Sequence, residues 1–448
     1  MSASFCALST SIDSRPAGLC SATAVASSAP VFKGAFRGFI YPEPGGGYRL
    51  YYSAGPNRVA DDQFFAVRMA RSRDGINWEC SDLDLIDVDP EFEEEHNNVL
   101  VQDAILMGLF IEPAAASSAE RWKAVILDIG RTPTGTKGHT SAFPTGAART
   151  TFGTEALFTS ADGIHWTHAT DTDWPPQSIT GSCHEATIAW VPGIARYVRY
   201  ACRTATGETG ACVLERRESA DLIHWGPASA LIFAGLPGKS AAYRLSPFLY
   251  QGGWLGWVDI VGSDGGSAVR LATSRDGGAW TILHADVALP FSSRSCRTGL
   301  TVLHSTGGPV PVGDKLWLYS VRPPRVEPGI ARDYGTELFV LRRDGFAALA
   351  GGASPGLLVT RPFVVPTGGG LYVNAEVEPG GSIRASVLGP DSHELVGFEQ
   401  SRCAELTATS IRAPLRWSGA AGLSALAARP VRLAFHIKNA KLYSFWIE

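Results

Sequence analysis

One short pattern occurs four times in this 448-residue chain: Ser72-Arg-Asp74-Gly75-Ile-Asn-Trp78, Ser160-Ala-Asp162-Gly163-Ile-His-Trp166, Ser219-Ala-Asp221-Leu-Ile-His-Trp225 and Ser274-Arg-Asp276-Gly277-Gly-Ala-Trp280. Each copy follows a run of β character, such as Phe65-Ala-Val-Arg-Met-Ala70 or Ala268-Val-Arg-Leu-Ala-Thr273. A degenerate fifth copy, Asp344-Gly-Phe346, follows Glu337-Leu-Phe-Val-Leu-Arg342. The chemistry is that of a hairpin. Ser and Asp oxygens accept from nearby backbone N–H groups, and the Gly that follows permits positive φ. The Trp then anchors the returning strand by burying a large ring. A unit repeated every few tens of residues must stack its copies, and no helical stretch separates these copies. The expectation is a set of β-blades.

Five candidate inner strands precede the turns: Gly38–Tyr41, Asn98–Val101, Ala186–Trp190, Leu245–Tyr250 and Gly299–Leu303. Each is followed by a second strand, at Tyr48–Tyr52, Trp122–Ile126, Arg196–Tyr200, Trp254–Val258 and Lys315–Tyr319. Five pairs interleaved with the turns predict a five-bladed β-propeller over 33–354. From Pro355 the pattern changes to alternating runs without the turn motif, at Leu371–Asn374, Ser382–Leu388, Ile411–Trp417, Val431–His436 and Leu442–Trp446. Such runs predict half-buried strands and a small antiparallel β-sandwich over 355–448. The first 32 residues, rich in Ser and Ala, read as a loose leader. The Gly/Thr/Pro-rich stretch 130–153 reads as an inserted loop, either covering a substrate or lying free on the surface.

Composition narrows the partners. Lys+Arg number 39 against Asp+Glu 43, for a net charge of −4, with no basic run to suit nucleic acid or an anionic membrane. No apolar run reaches the length of about 20 residues that a spanning helix needs. The 8 cysteines are scattered, without CxxC spacing, so neither a metal site nor a cofactor is expected; one or two disulfides fit, Cys202 and Cys212 being the nearest pair. The compartment stays open, with the cytoplasm favoured because no basic n-region and apolar h-region are present. Oligomeric state is not legible.

The blade pattern, with the tail Gly369-Gly-Leu-Tyr-Val-Asn374, Gly380-Gly-Ser-Ile-Arg384 and Ala440-Lys-Leu-Tyr-Ser-Phe445, resembles the five-bladed propeller enzymes related to glycoside hydrolase family 32 and the arabinan-active families that share their propeller. The resemblance runs from about residue 33 onward. It implies acidic residues at the funnel-facing ends of the first three blades, one attacking or activating water while another donates a proton to the leaving oxygen. This chain departs from that pattern in the first blade, which is entered through Ala35-Phe-Arg37-Gly38 with no Asp.

The third blade offers His184-Glu185, with Glu185 the expected general acid and His184 a sugar contact. The second is entered through Glu95-His96-Asn97-Asn98, which makes Glu95 the partner carboxylate and His96, Asn97 and Asn98 substrate contacts. Glu43 and Asp103 are alternative carboxylates. Arg37, Arg244, Arg297 and Arg322 stand at or near blade entries, and their guanidinium forks suit a carboxylate-bearing sugar. Trp190, Trp254 and Trp257 are expected in the core. The leading expectation is glycosidic cleavage in the funnel. The alternative is a carbohydrate-binding or protein-interaction propeller that lacks the acids.

Overall fold

The computed structural model describes residues 3–6, 19–21, 25–26, 31–54, 66–86, 97–102, 104–112, 117–128, 152–175, 177–178, 186–204, 212–236, 238, 240–262, 267–283, 301–303, 308–322, 335–420 and 422–448. The chain is all-β. Five consecutive sheets, antiparallel except for the short parallel pairing of Ile232–Ala234 with Ala279–Ile282 in the fourth, are followed by one larger sheet built mainly from the C-terminal part. Sheet I runs Ala35–Pro42, Tyr48–Ala54, Ala66–Ser72 and Trp78–Glu79. Sheet II runs Ala104–Ile111, Trp122–Asp128, Phe152–Ser160 and Thr167–Asp171. Sheet III runs Thr187–Val191, Arg196–Thr204, Cys212–Ser219 and Ser229–Ala230. Sheet IV runs Ala241–Tyr250, Gly253–Val261, Ser267–Ser274 and Ala279–Ile282. Sheet V has Thr301–Leu303, Lys315–Arg322 and Gly335–Arg342.

Alternation along the second strands shows how the sheets pack. Side chains of a strand point in turn to opposite faces, so each second strand supplies two interfaces. In sheet I, Tyr51 joins a core with Leu106, Trp122 and Phe158 of sheet II. Its neighbours Leu50 and Tyr52 turn the other way, onto Val310, Tyr319 and Leu338 in and beside sheet V. In sheet II, Val125 and Leu127 face Ile188 and Tyr197 of sheet III. Val198 and Tyr200 of sheet III meet Leu245, Trp254 and Trp280 of sheet IV. Leu255 and Trp257 of sheet IV meet Leu316, Leu318 and Phe339 of sheet V. Sheet V therefore packs on sheet I and the ring of five interfaces closes.

The repeated turn has the predicted chemistry. Ser72 Oγ accepts from Gly75 N at 2.8 Å, and Asp74 Oδ1 accepts from Ile76 N at 2.9 Å and Asn77 N at 2.8 Å. The bonds recur around Ser160 and Asp162, Ser219 and Asp221, and Ser274 and Asp276. These bonds hold the carboxyls of Asp74, Asp162 and Asp221 well below the ordinary range, against desolvation that raises all three. In the three copies that carry it, the Gly also docks the turn on the neighbouring sheet. A Cβ on Gly163 would collide with the Tyr51 hydroxyl of sheet I, and one on Gly277 with the Tyr200 hydroxyl of sheet III.

The larger sheet is organised by two 18-residue strands, Leu371–Leu388 and Pro430–Ile447, paired antiparallel with each other. The sequence suggests four separate runs here. Instead, a register break between Val377 and Ser382, at Glu378-Pro-Gly-Gly381, lets each pair of runs continue as one bent strand. Gly380 has φ +75 at that bend.

Three boundaries differ from expectation. Ala347–Gly351 falls in the expected propeller span, yet it pairs with Pro430–Ile447 because its backbone continues the edge of that sheet. The expected loose leader is partly paired: Ala3–Cys6 lies along Pro430–Ile447, Leu19–Ser21 along Ala347–Gly351, and both Val25–Ala26 and Phe32–Lys33 along Gly335–Arg342. These segments cover edges that would otherwise offer open hydrogen-bonding groups. Lastly, Val99–Gln102 is not the inner strand of the second sheet. It pairs with Ala66–Ser72 of sheet I, and the longer apolar run Ala104–Ile111 takes the buried inner position. Cys202 is disulfide-bonded, whereas Cys403 is a buried free thiol.

Candidate functional site

Inner strands begin, second strands end and third strands begin at one and the same end of an antiparallel sheet. At this end several charged side chains of four sheets approach one another. Arg37, on the inner strand of sheet I, reaches out of its own sheet: its guanidinium donates to Met107 Sδ of sheet II at 3.0 Å and to the backbone oxygen of Ala186, which leads into sheet III. Burial lowers its pKa to about 9, helped by the like charges of Arg244 and Arg199 and opposed by Glu155.

Arg199 and Glu155 form a buried ion pair between sheets III and II. Arg199 lies in alternation with Tyr197 and Ala201, on the face toward sheet II. Glu155 lies in alternation with Leu157, on the face toward sheet III. The Arg199 Nη1 stands 2.6 Å from both carboxylate oxygens, and the two side chains are 1% and 0% exposed. Trp174 covers the guanidinium, its ring centroid 3.7 Å from the Arg199 Cζ.

The second pair lies within sheet IV. Arg244 and Asp259 are directly opposite in the register of its first two strands, with Nε and Oδ2 3.8 Å apart. Asp259 is closely surrounded by protein, and burial raises its carboxyl from 3.8 to about 6, with Arg244 acting in the other direction. Its Oδ2 has no hydrogen-bond partner. No sequence motif marked Glu155, Arg199 or Asp259. The signal was a charge at an otherwise apolar position of an alternating strand, as in Trp254-Leu-Gly-Trp-Val-Asp259.

Of the residues expected from sequence, Arg37 and Arg244 come together here. Asn98 is 1% exposed and committed internally: its Nδ2 donates to the Tyr52 hydroxyl and the Met69 oxygen, each at 2.9 Å, and its Oδ1 accepts from Arg68 at 3.3 Å. Asn97 ties down the preceding segment, donating through Nδ2 to the Ile86 oxygen at 2.8 Å and through its backbone N–H to Asp82. These contacts make both residues parts of the scaffold, because Val99–Gln102 belongs to sheet I. Glu43, an alternative carboxylate by sequence, does not join this cluster: it lies just past the end of Ala35–Pro42, paired with Arg49 beside the Gly47 turn. Glu185, Glu95, His184, His96, Arg297 and Asp103 lie outside the described residues, as does the Arg322 side chain. Trp254 and Trp257 are buried, as read from the sequence, but Trp190 is 43% exposed. Among the described residues no three His, Cys, Asp or Glu side chains gather as a metal site, and no helix is long and apolar enough to cross a membrane.

No known family profile matches the chain, and no curated protein matches it in sequence. Among solved structures it is similar to an N-acetylgalactosamine deacetylase from F. plautii, with TM-score 0.43 and 13% identity over 75% of this chain and 96% of that one. A β-fructofuranosidase from Schwanniomyces occidentalis gives TM-score 0.39 and 11% identity over 98% and 99%. An endo-arabinase from Bacteroides thetaiotaomicron gives TM-score 0.39 and 13% identity over 70% and 96%.

Proposed function

We propose that the chain is a carbohydrate-active five-bladed β-propeller with a C-terminal β-sandwich, and that it cleaves a glycosidic bond of an anionic sugar where its inner strands begin. In this reading sheets I to V are the blades, and the bent sheet around Leu371–Leu388 and Pro430–Ile447 folds over itself as the sandwich. The carrying observation is the convergence of Arg37, Arg199, Arg244, Glu155 and Asp259 from four sheets on one end of the ring. Arginines whose guanidinium groups are held in place by the scaffold suit a sugar carboxylate, since the planar fork meets two oxygens at once. Arg37 and Arg244 take that role, with Arg297, Arg322, His184 and His96 assigned as further sugar contacts.

Glycosidic cleavage needs one carboxylic acid that keeps its proton near neutrality and one carboxylate. Glu185 is assigned as the acid and Glu95 as its partner. Glu155 is not assigned to catalysis, because both of its oxygens face Arg199 in a buried pair. A second reading, sugar binding without turnover, is favoured by one observation: Arg37 stands on the first inner strand where the resembled enzymes place an acid.

The test is product release from fructans, arabinans and uronic-acid-containing glycans by the wild type and by Glu185→Gln. A rate loss of about 10²–10⁴-fold in the variant, with uronic-acid substrates preferred, is the expected result. Turnover that survives Glu185→Gln rejects the assigned acid. Saturable glycan binding with no turnover by the wild type replaces hydrolysis by the second reading.

A further inference from the structure

The exposed Trp190 belongs to a cavity of about 650 Å³ at the other end of the ring. Its walls come from the late part of the inner strands and from the start of the second strands. Phe39 of sheet I, Leu109 of sheet II, Ile188 of sheet III and Phe248 of sheet IV line its depth, and Trp190 and Trp254 stand with them. Small-molecule pockets span roughly 300–1,000 Å³, so this one suits a ligand of two or three rings. A saccharide fits it badly, because its hydroxyls would lose water against hydrocarbon without regaining partners.

Polar groups are gathered on one wall. Glu112 accepts from the Tyr197 hydroxyl through Oε1 and pairs with Lys123 through Oε2 at 2.9 Å. Glu112 and Lys123 both line the cavity, with side chains 33% and 18% exposed. Each carboxylate oxygen has a further lone pair, and the ammonium carries three donors. A hydroxyl meets both groups at once, donating to Glu112 and accepting from Lys123. A carboxylate head would instead be repelled by Glu112.

We propose that this cavity is a second ligand site, distinct from the sugar site, for a neutral aromatic alcohol or phenol whose rings fill the apolar depth and whose hydroxyl meets Glu112 and Lys123. It does not depend on the glycosidic reading, since it involves none of the residues assigned there.

The experiment is calorimetric titration of the full chain with 2-naphthol, run beside naphthalene and 2-naphthoate. Saturable binding with a negative heat-capacity change, the mark of apolar burial, is expected, with 2-naphthol binding more tightly than both comparators. Lys123→Met should weaken 2-naphthol by about tenfold, the effect of losing one hydrogen bond from a charged donor. Ala189→Trp, which fills the lined space, should abolish binding while Tm stays at the wild-type value. Should that variant unfold, Ile188→Phe serves the same purpose from the adjacent position. Absence of saturable binding by the wild type overturns the site, as does unchanged affinity in a folded, filled variant. Equal affinity for 2-naphthol and naphthalene overturns the assignment of the hydroxyl.

Discussion

Three of the four turn motifs carry Gly after Asp, and the third carries Leu222 in its place, at φ +68 and wholly buried. The partner on the preceding sheet changes with it. Gly75, Gly163 and Gly277 sit under the hydroxyls of Tyr319, Tyr51 and Tyr200, while Leu222 packs in the cluster that contains Val125, the residue three after Trp122 as Tyr51 is three after Tyr48. A large residue and a small one have exchanged sides of the interface. The left-handed backbone costs Leu about 1–2 kcal/mol, but its burial returns more than that. Leu222→Gly is therefore expected to destabilise by about 1–3 kcal/mol in urea, the cavity loss exceeding the relieved strain. Adding Val125→Tyr should recover most of the loss. Additive effects in that double-mutant cycle would refute the exchange.

Within an element, alternation decides which charges meet. Arg244 and Asp259 face each other on the first two strands of sheet IV because the register sets them opposite, despite the irregularity between Ala242 and Arg244. The folded state raises the Asp259 carboxyl from 3.8 to about 6. The folded protein thus binds that proton more tightly than the unfolded chain. The associated stability is complete below about pH 4 and is lost as pH rises through about 6, by up to about 3 kcal/mol. Asp259→Asn cannot titrate, so the stability of the wild type relative to this variant should fall across that window and be level above it. Denaturant titrations at pH 4, 5, 6 and 7 measure the difference, and a flat difference would contradict the burial of this carboxyl.

At the scale of the whole molecule, the ring closes between sheets V and I, and the N-terminal segment lies at that joint. Phe32 and Lys33 pair with Thr336 and Gly335, while the Phe32 ring meets Tyr52 at 4.9 Å and Trp78 at 6.4 Å, both from sheet I. Removing residues 1–33 strips the outer edge of Gly335–Arg342 and takes an aromatic ring from the joint. The expected result is a Tm lower by on the order of 5 °C, from the lost apolar burial, together with concentration-dependent association through the exposed edge. Scanning calorimetry and light scattering read the two effects. An unchanged Tm with a monomeric product would show that the segment contributes nothing to closure.

Local chemistry was legible in the sequence by itself. The turns could be read because Ser, Asp and Gly act on backbone within a few residues, and the second strands because their alternation marks two buried faces. The all-β class and the place of Arg37 and Arg244 at the beginnings of inner strands followed from those two readings. What needed the tertiary structure was every partnership across sheets. Val99–Gln102 has the composition of an inner strand, and only competition with the more apolar Ala104–Ile111 moved it to sheet I, taking Asn97 and Asn98 into the scaffold with it. The Glu155–Arg199 pair joins residues 44 apart in sequence and lies at the interface of two sheets. Trp190 and its cavity depend on strands of four sheets coming together. A single strand carries no record of which neighbour it will meet, because that choice is made by the summed burial of all the sheets at once.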